Sequence, residues 1–331
     1  MSGVDIQSTQ LERNAFYELA EQAKLCYNIS SQSKFRLISC SENATFLVEE
    51  PKNNLRMLLN IRNPTFKIEE LEAEAQWNIE LLKNSSLIVP EPMVGIDGKF
   101  VQKLTLSEHI LEYHCLMTNY VAGISLNDCD KSNIRSHYMK LGETTAILHQ
   151  NAIQWNKAKS LGFRTFNPFM LKSLEQAKVE SNLTDLNSQL FCKAYKVIEL
   201  RLEHYSKLSR RFGLIHADLR LENLMSFNNK TVVVNFQNCV LSWYLYDCAV
   251  SLGDIDLYKT DEILSAWLDG YRRVRNIPKD DRDELPTFLL LYRLQQIYKS
   301  RTIGALKTQA LCSDFYDQTV LLCEKYLKAY S

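Results

Sequence analysis

The residues best equipped for chemistry in this 331-residue chain stand between Gly213 and Asp247. An apolar run, Gly213-Leu214-Ile215, leads into His216, Asp218 and Asn223. Leu224-Met225-Ser226-Phe227 follows, then Asn228-Asn229-Lys230 and the β-branched run Thr231 to Val234. A polar asparagine pair between apolar strands predicts a tight hairpin. Asp218 and Asn223 then lie on a loop before one strand and Asn235 at the end of the other, so the hairpin gathers all three. Such a cluster suits phosphoryl transfer. A carboxylate accepts the proton of an attacking hydroxyl, while a side-chain oxygen and a second carboxylate hold Mg²⁺ against the phosphates.

The elements that must position this loop follow from the texture of the chain. Helical spacing over residues 8–25 puts Leu11, Phe16, Leu19 and Ala20 on one side. Short β runs occupy 34–61, with turns at Ser41-Glu42-Asn43 and Pro51-Lys52-Asn53-Asn54. Residues 67–83 read as a helix from their charge pattern and the stripe Leu71, Ala75, Ile79 and Leu82. Val89-Pro90-Glu91-Pro92 stops that helix. Strands are expected around 93–96 and 100–104, across the Asp97-Gly98 turn, and again over 111–121. After Gly123 the pattern is almost wholly helical apart from the hairpin. The expectation is an α+β protein, with a β-rich lobe over 1–120 carrying one packed helix and a mostly helical lobe over 121–331.

The run HADLRLEN at 216–223 resembles the HxDxxxxN loop of the aminoglycoside phosphotransferase and choline-kinase-like family. It is most similar to a bacterial branch in which HADLRxxNLL precedes VIDFDDCGFxWYLYD. Further similarity lies in Ser41-Glu42-Asn43-Ala44-Thr45-Phe46, in MLLNIRNPTF at 57–66, and in Met117 to Gly123, which resembles the hinge between lobes. The resemblance implies a bilobal protein-kinase-like fold and transfer of the γ-phosphate of ATP to a hydroxyl, usually of a small molecule. It implies Asp218 as catalytic base, Asn223 and Asn235 as metal ligands, His216 as a brace, and Asp247 at the start of a helix tying the loop down. It places Glu42, Asn43, Asn60, Arg62, Glu74 and Asn119 around the nucleotide, Glu74 being where the family pairs a glutamate with the basic residue of the preceding strand.

The departures are equally specific. Asn235-Phe236-Gln237-Asn238 stands where the family has DFDD, so three acids have become amides. An amide oxygen can touch Mg²⁺ but brings no charge to hold it, and Mg²⁺ sites lean on one or two carboxylates plus the phosphates. Asn60 falls where the branch carries a basic side chain for the phosphates; Arg62 shares its strand face by period-two alternation and can substitute in part. Val240 replaces an expected glycine. Two readings follow. In one, the chain is an ATP-dependent phosphotransferase with a weakened Mg²⁺ site, acting on a small-molecule hydroxyl or, as a variant, on protein. In the other, it is an inactive pseudokinase that binds a nucleotide or a partner.

Composition narrows the classes. Lysine and arginine number 39 against 39 aspartate and glutamate, which argues against a dedicated nucleic-acid surface. Nine cysteines without CxxC spacing read as reduced, mostly buried thiols of a cytoplasmic protein. No apolar run is long enough for a membrane span, and no signal peptide is evident. Other features have plain readings. His109 and His114 are a poor metal pair, His149 and the Trp243-Tyr244 pair serve packing, and Trp155, Phe163, Phe166 and Phe169 fill core or line a pocket. Arg272-Arg273-Val274-Arg275 is a solvated helix end or, facing the cleft, a feature favouring an anionic substrate. The apolar stretch 313–328 caps the helical lobe or meets a second copy.

Overall fold

Alternating apolar residues over 34–62 and 101–119 build an antiparallel five-stranded sheet, as the computed structural model describes it. Its description covers residues 10–40, 43–106, 111–168, 186–302 and 313–330. The strands are β1 (Lys34–Cys40), β2 (Ala44–Glu50), β3 (Leu55–Arg62), β4 (Val101–Thr105) and β5 (Glu112–Asn119), in the order β1-β2-β3-β5-β4. The register sets Asn60 opposite Thr45 on one side and Leu116 on the other. Helix α1 (Gln10–Cys26) buries Phe16, Leu19, Ala20 and Ala23 with Phe46, Leu59, Ile61 and Met117. The expected strand at 93–96 does not form. Pro90 and Pro92 supply no N–H to a ladder, and Val94 and Ile96 are exposed, leaving only the isolated bridge of Pro92 to Thr118.

Helix α2 (Ile68–Asn84) differs from its expected face. Its buried positions run Leu71, Glu74, Ala75, Asn78 and Leu81, with Ala73 and Trp77, while Leu82 is exposed. The spacing is helical, but two of the inward positions are polar, so an apolar stripe pointed slightly the wrong way. Both have partners: Asn78 Nδ2 donates to the Pro90 carbonyl at 3.1 Å, and Glu74 pairs with Arg62, while Asn78 Oδ1 is buried without a hydrogen bond.

The chain divides into two compact units. The first comprises residues 1–124, 160–163 and 225–237; the second comprises 125–159, 164–224 and 238–331. In the first, the hairpin turn falls at Asn228 and Asn229, whose φ angles of 49° and 61° are left-handed. It joins β8 (Leu224–Phe227) to β9 (Lys230–Val233); β6 is the two-residue strand Ile124–Ser125. This is the backbone that a two-residue hairpin loop demands and that asparagine tolerates.

In the second unit, β7 (Phe212–Ile215) pairs antiparallel with β10 (Val240–Trp243). Helix α5 (Tyr244–Leu252) is buried at every position. Helices α3 (Ile134–Gln154) and α6 (Leu257–Tyr271) approach closely through glycines: a Cβ on Gly142 would stand 1.9 Å from the Trp267 carbonyl oxygen, and one on Gly270 1.8 Å from that of Met139. After the single turn α7 (Lys279–Arg282), helix α8 (Leu285–Thr302) carries Arg293, 1 % exposed, whose guanidinium donates to the Gly253 carbonyl at 2.7 Å and the Phe315 carbonyl at 3.0 Å. Helix α9 (Ser313–Tyr330) packs on α8 and on α4 (Leu186–Tyr205), so the 313–328 stretch covers its own chain. The described cysteines are all free. Among the described residues no helix is long and apolar enough to cross a membrane.

Candidate active site

In the second unit, the loop after β7 is held from beneath by one carboxylate. Asp247, in the first turn of α5 and fully buried, accepts the His216 N–H at 3.1 Å and the Ala217 N–H at 2.7 Å. Ala217 has φ 59°, a left-handed conformation costing a non-glycine residue about 1–3 kcal/mol. Asp247 thus secures a strained turn immediately before Asp218. His216 is also buried, and its Nδ1 accepts the Asp218 N–H at 3.3 Å, turning the carboxylate out of the loop.

Asp247 is itself positioned by His149 near the end of α3, whose Nε2 lies 2.9 Å from Asp247 Oδ2, while Nδ1 lies 3.0 Å from the Tyr271 hydroxyl. Burial lowers the His149 pKa, and the Asp247 carboxylate only partly opposes it. A neutral ring with its proton on Nε2 satisfies both contacts, with Tyr271 donating to Nδ1. His149 therefore does more than pack.

The Asp218 carboxylate is surrounded by donors. Asn223 Nδ2 bonds the Asp218 carbonyl at 2.7 Å and its Oδ2 at 3.1 Å. Asn238 Nδ2 donates to the same oxygen at 3.4 Å, and Arg220 Nε stands 3.4 Å from Oδ1. An acid at 238 would set two carboxylates face to face, whereas the amide donates. Lys299 of α8, absent from the sequence-based site, lies in the field of Asp218, Arg220 and Arg164. Although the residue is exposed, desolvation of its ammonium group lowers its pKa, with Asp218 opposing that shift and Arg164 and Arg220 adding to it. Nothing in local spacing links α8 to the loop.

The first unit holds the other sequence-selected residues. Asn60 accepts a hydrogen bond from Thr45 Oγ1 at 3.0 Å across the β2–β3 ladder. Arg62, with 2 % of its side chain exposed, pairs with Glu74 at 3.5 Å, and its Nη1 donates to Gln237 Oε1. The basic partner of Glu74 is therefore Arg62, and Gln237 is its acceptor at one of the positions that departs from DFDD. Asn43 Oδ1 accepts the Asn63 N–H at 3.0 Å, bridging the start of β2 to the end of β3. Asn119 exchanges two bonds with Glu91, its Oδ1 accepting the Glu91 N–H at 2.7 Å and its own N–H bonding the Glu91 carbonyl at 3.0 Å. Asn235 adopts φ 69° beyond β9, and Phe236 next to it packs edge-on against Trp77. Glu42, His109, Phe169 and Cys312 lie outside the described residues.

A five-stranded sheet with helices α1 and α2 and a mostly helical unit bearing an HxDxxxxN loop define the protein-kinase-like fold of small-molecule phosphotransferases. The microcompartment-associated aminopropanol kinase shares it at TM-score 0.79 and 26 % identity, over 95 % of this chain and 98 % of that one. An amicoumacin kinase solved with AMP-PNP, Ca²⁺ and Ami superposes at TM-score 0.76 and 17 % identity, over 97 % and 96 % of the two chains. In sequence, the amicoumacin kinase of Bacillus subtilis (strain 168) is 20 % identical over 298 residues, 85 % of each chain. Residues 35–285 match the phosphotransferase enzyme family, and the chain belongs to it.

Proposed function

We propose that this protein transfers the γ-phosphoryl group of ATP to a hydroxyl of a small molecule, through a metal site weakened by amides. The observation that carries the reading is the loop around Asp218. A single carboxylate projects from a turn locked by Asp247, with Asn223 and Asn238 donating to it. Asp218 accepts the proton of the acceptor hydroxyl as its oxygen bonds the γ-phosphorus. The bond from that phosphorus to the β–γ bridging oxygen breaks, and ADP leaves. Residues 1–120 cover the nucleotide on this reading, with Glu42, Asn43, Asn60, Arg62, Glu74 and Asn119 on that side. Residues 121–331 carry the catalytic loop and the acceptor site.

Asn223 and Asn235 fit a hard cation by element, since both offer oxygen, but not by charge. No group of three or more His, Cys, Asp or Glu side chains among the described residues could hold a metal ion. A bound Mg²⁺ supplies neutralisation of phosphate charge, and here its charge balance falls mainly on the phosphates themselves. The amicoumacin kinase in complex with AMP-PNP and Ca²⁺ supports a cation–nucleotide complex in this fold.

Thermal unfolding of the purified chain with ATP, with and without Mg²⁺, is the first test, since a ligand stabilises by RT ln(1 + [L]/Kd). ADP release over a panel of hydroxyl acceptors follows, with Asp218→Asn as the control. Acceptor-dependent ADP release abolished in the control supports transfer. A second reading, a nucleotide-binding pseudokinase, is favoured by the neutral side chains at 60, 235 and 238. Its signature is stabilisation by ATP without Mg²⁺ dependence and without ADP release.

A further inference from the structure

The arginine run at the end of α6 is not uniformly solvated. Arg272 turns back to Asp269 at 3.3 Å, and Arg273 reaches towards Glu143 at 3.8 Å. Arg275 turns inward. Its guanidinium lies 4.7 Å over the Tyr244 ring and donates through Nη1 to the Tyr271 hydroxyl at 2.8 Å. There it joins Arg210, Arg211, Tyr205 and Asp281 around a cavity of about 120 Å³.

Charge and donor supply in this cavity both exceed what the protein uses. Three guanidinium groups face one carboxylate, which leaves an excess of two positive charges in the lining. Asp281, 5 % exposed, is taken by Arg211 Nε at 2.6 Å and Arg210 Nη1 at 3.1 Å. The Tyr205 carbonyl takes Arg211 Nη1 at 2.8 Å. Each guanidinium carries five N–H donors, more than the bonds to Asp281, Tyr205 and Tyr271 use. Arg211 stacks 4.3 Å from the Tyr205 ring as Arg275 does on Tyr244, so two of the three cations are held in place before any ligand arrives. The volume lies well below the roughly 300–1,000 Å³ of sites for drug-sized ligands. We propose that this cavity is a binding site for a small tetrahedral oxyanion, a phosphate or the phosphate end of a monoester, and that its occupant acts on the loop bearing Asp218.

The connection is a directed series of hydrogen bonds. Arg275 donates to the Tyr271 oxygen, Tyr271 to His149 Nδ1, His149 to Asp247, and Asp247 accepts the N–H groups of His216 and Ala217. An anion competes with Tyr271 for the Arg275 N–H and so acts on the far end of this series. The binding stands on the cavity alone; the effect on turnover rests on Asp218 acting as proposed above.

Crystals of the full chain soaked in tungstate should give an anomalous peak within hydrogen-bonding distance of Arg275 and Arg210, lost in Arg275→Gln. Arg275 is the residue to change because Arg210 and Arg211 also hold the buried Asp281. In solution, inorganic phosphate should raise the melting temperature of the unaltered protein more than that of Arg275→Gln. Equal shifts with phosphate and glycerol 3-phosphate assign the site to the free ion, and a larger shift with the ester assigns it to a phosphate monoester. No tungstate peak in the cavity, or identical phosphate shifts in protein and variant, overturns the site. For the coupling, phosphate should change kcat by about fivefold in the unaltered protein, the low end of typical coupling between sites, and leave it unchanged in Tyr271→Phe. Phosphate binding with no difference in kcat response between the two overturns the coupling and leaves the site standing.

Discussion

Around Asp218 the protein keeps its acids and sets them to hold backbone: Asp247 fixes the N–H groups of His216 and Ala217, backed by His149 and Tyr271. Around Arg62 the side chains at 60, 235 and 237 are amides, and the buried guanidinium is divided between Glu74 and Gln237. The first region presents one carboxyl group in a fixed place. The second is neutral at 60, 235 and 237, and holds its charge in a buried pair rather than offering it to a ligand. On the proposed reading, the side chains for taking a proton are more completely positioned than those for holding phosphate and metal, and the two can be tested separately.

The largest effect should come from removing the group that the first region presents. Asp218→Asn should lower any phosphoryl transfer by about 10²–10⁴-fold, the usual contribution of a positioned base, with the melting temperature unchanged. Retained turnover would reject Asp218 as the base. The counterpart in the second region is Arg62→Met. Breaking a buried pair by removing one partner costs roughly 3–5 kcal/mol because the remaining charge is stranded, here Glu74 with 11 % of its side chain exposed. Urea unfolding should show that loss, and the double variant Arg62→Met, Glu74→Leu should recover part of it. No recovery would mean that Gln237, not Glu74, is the partner that matters.

Legibility in the sequence followed the range of the interactions. The hairpin was readable because Asn228 and Asn229 are local turn chemistry, and the loop because its spacing is short. The inward face of α2 was misread because Glu74 and Asn78 look solvent-directed until their partners are known. The bond from Arg62 to Gln237 spans 175 positions, and no periodicity announces it. Likewise His149 on α3 is far in sequence from Tyr271, which ends α6, and Arg275 beyond it, and each alone reads as packing or solvated charge. Lys299 gives no local signal at all.

A smaller effect should come from restoring one acid. Asn235→Asp should lower the half-saturating Mg²⁺ concentration for ATP-dependent stabilisation or turnover by roughly tenfold, since cation affinity follows ligand charge. Asn238→Asp should behave differently, because that side chain lies 3.4 Å from Asp218 Oδ2 and a second carboxylate there raises the pKa of the pair. Its turnover should require higher pH, while its Mg²⁺ dependence changes less than that of Asn235→Asp. Equal responses would mean that positions 235 and 238 do not differ in their roles.

The smallest effect separates the regions by pH. Burial holds the His149 pKa below the 6.5 of a free histidine, although the Asp247 carboxylate pulls the other way and Arg275 pulls with burial. Between those two values the unfolded chain binds more protons than the folded one, so stability rises with pH there and levels off above the unfolded value. The contribution is thus complete above about pH 6.5 and is lost as pH falls towards the folded pKa, at no more than about 1.4 kcal/mol per pH unit for one proton. Urea unfolding from pH 5 to pH 8 should show this slope in the unaltered protein and a shallower one in His149→Gln, whose amide can still donate to Asp247. Arg62→Met should lower the whole curve without changing the difference in slope, because no histidine takes part in that pair. If His149→Gln retains the full acid slope, the ring is not held neutral, and the relay from Tyr271 to Asp247 must run with the opposite proton placement.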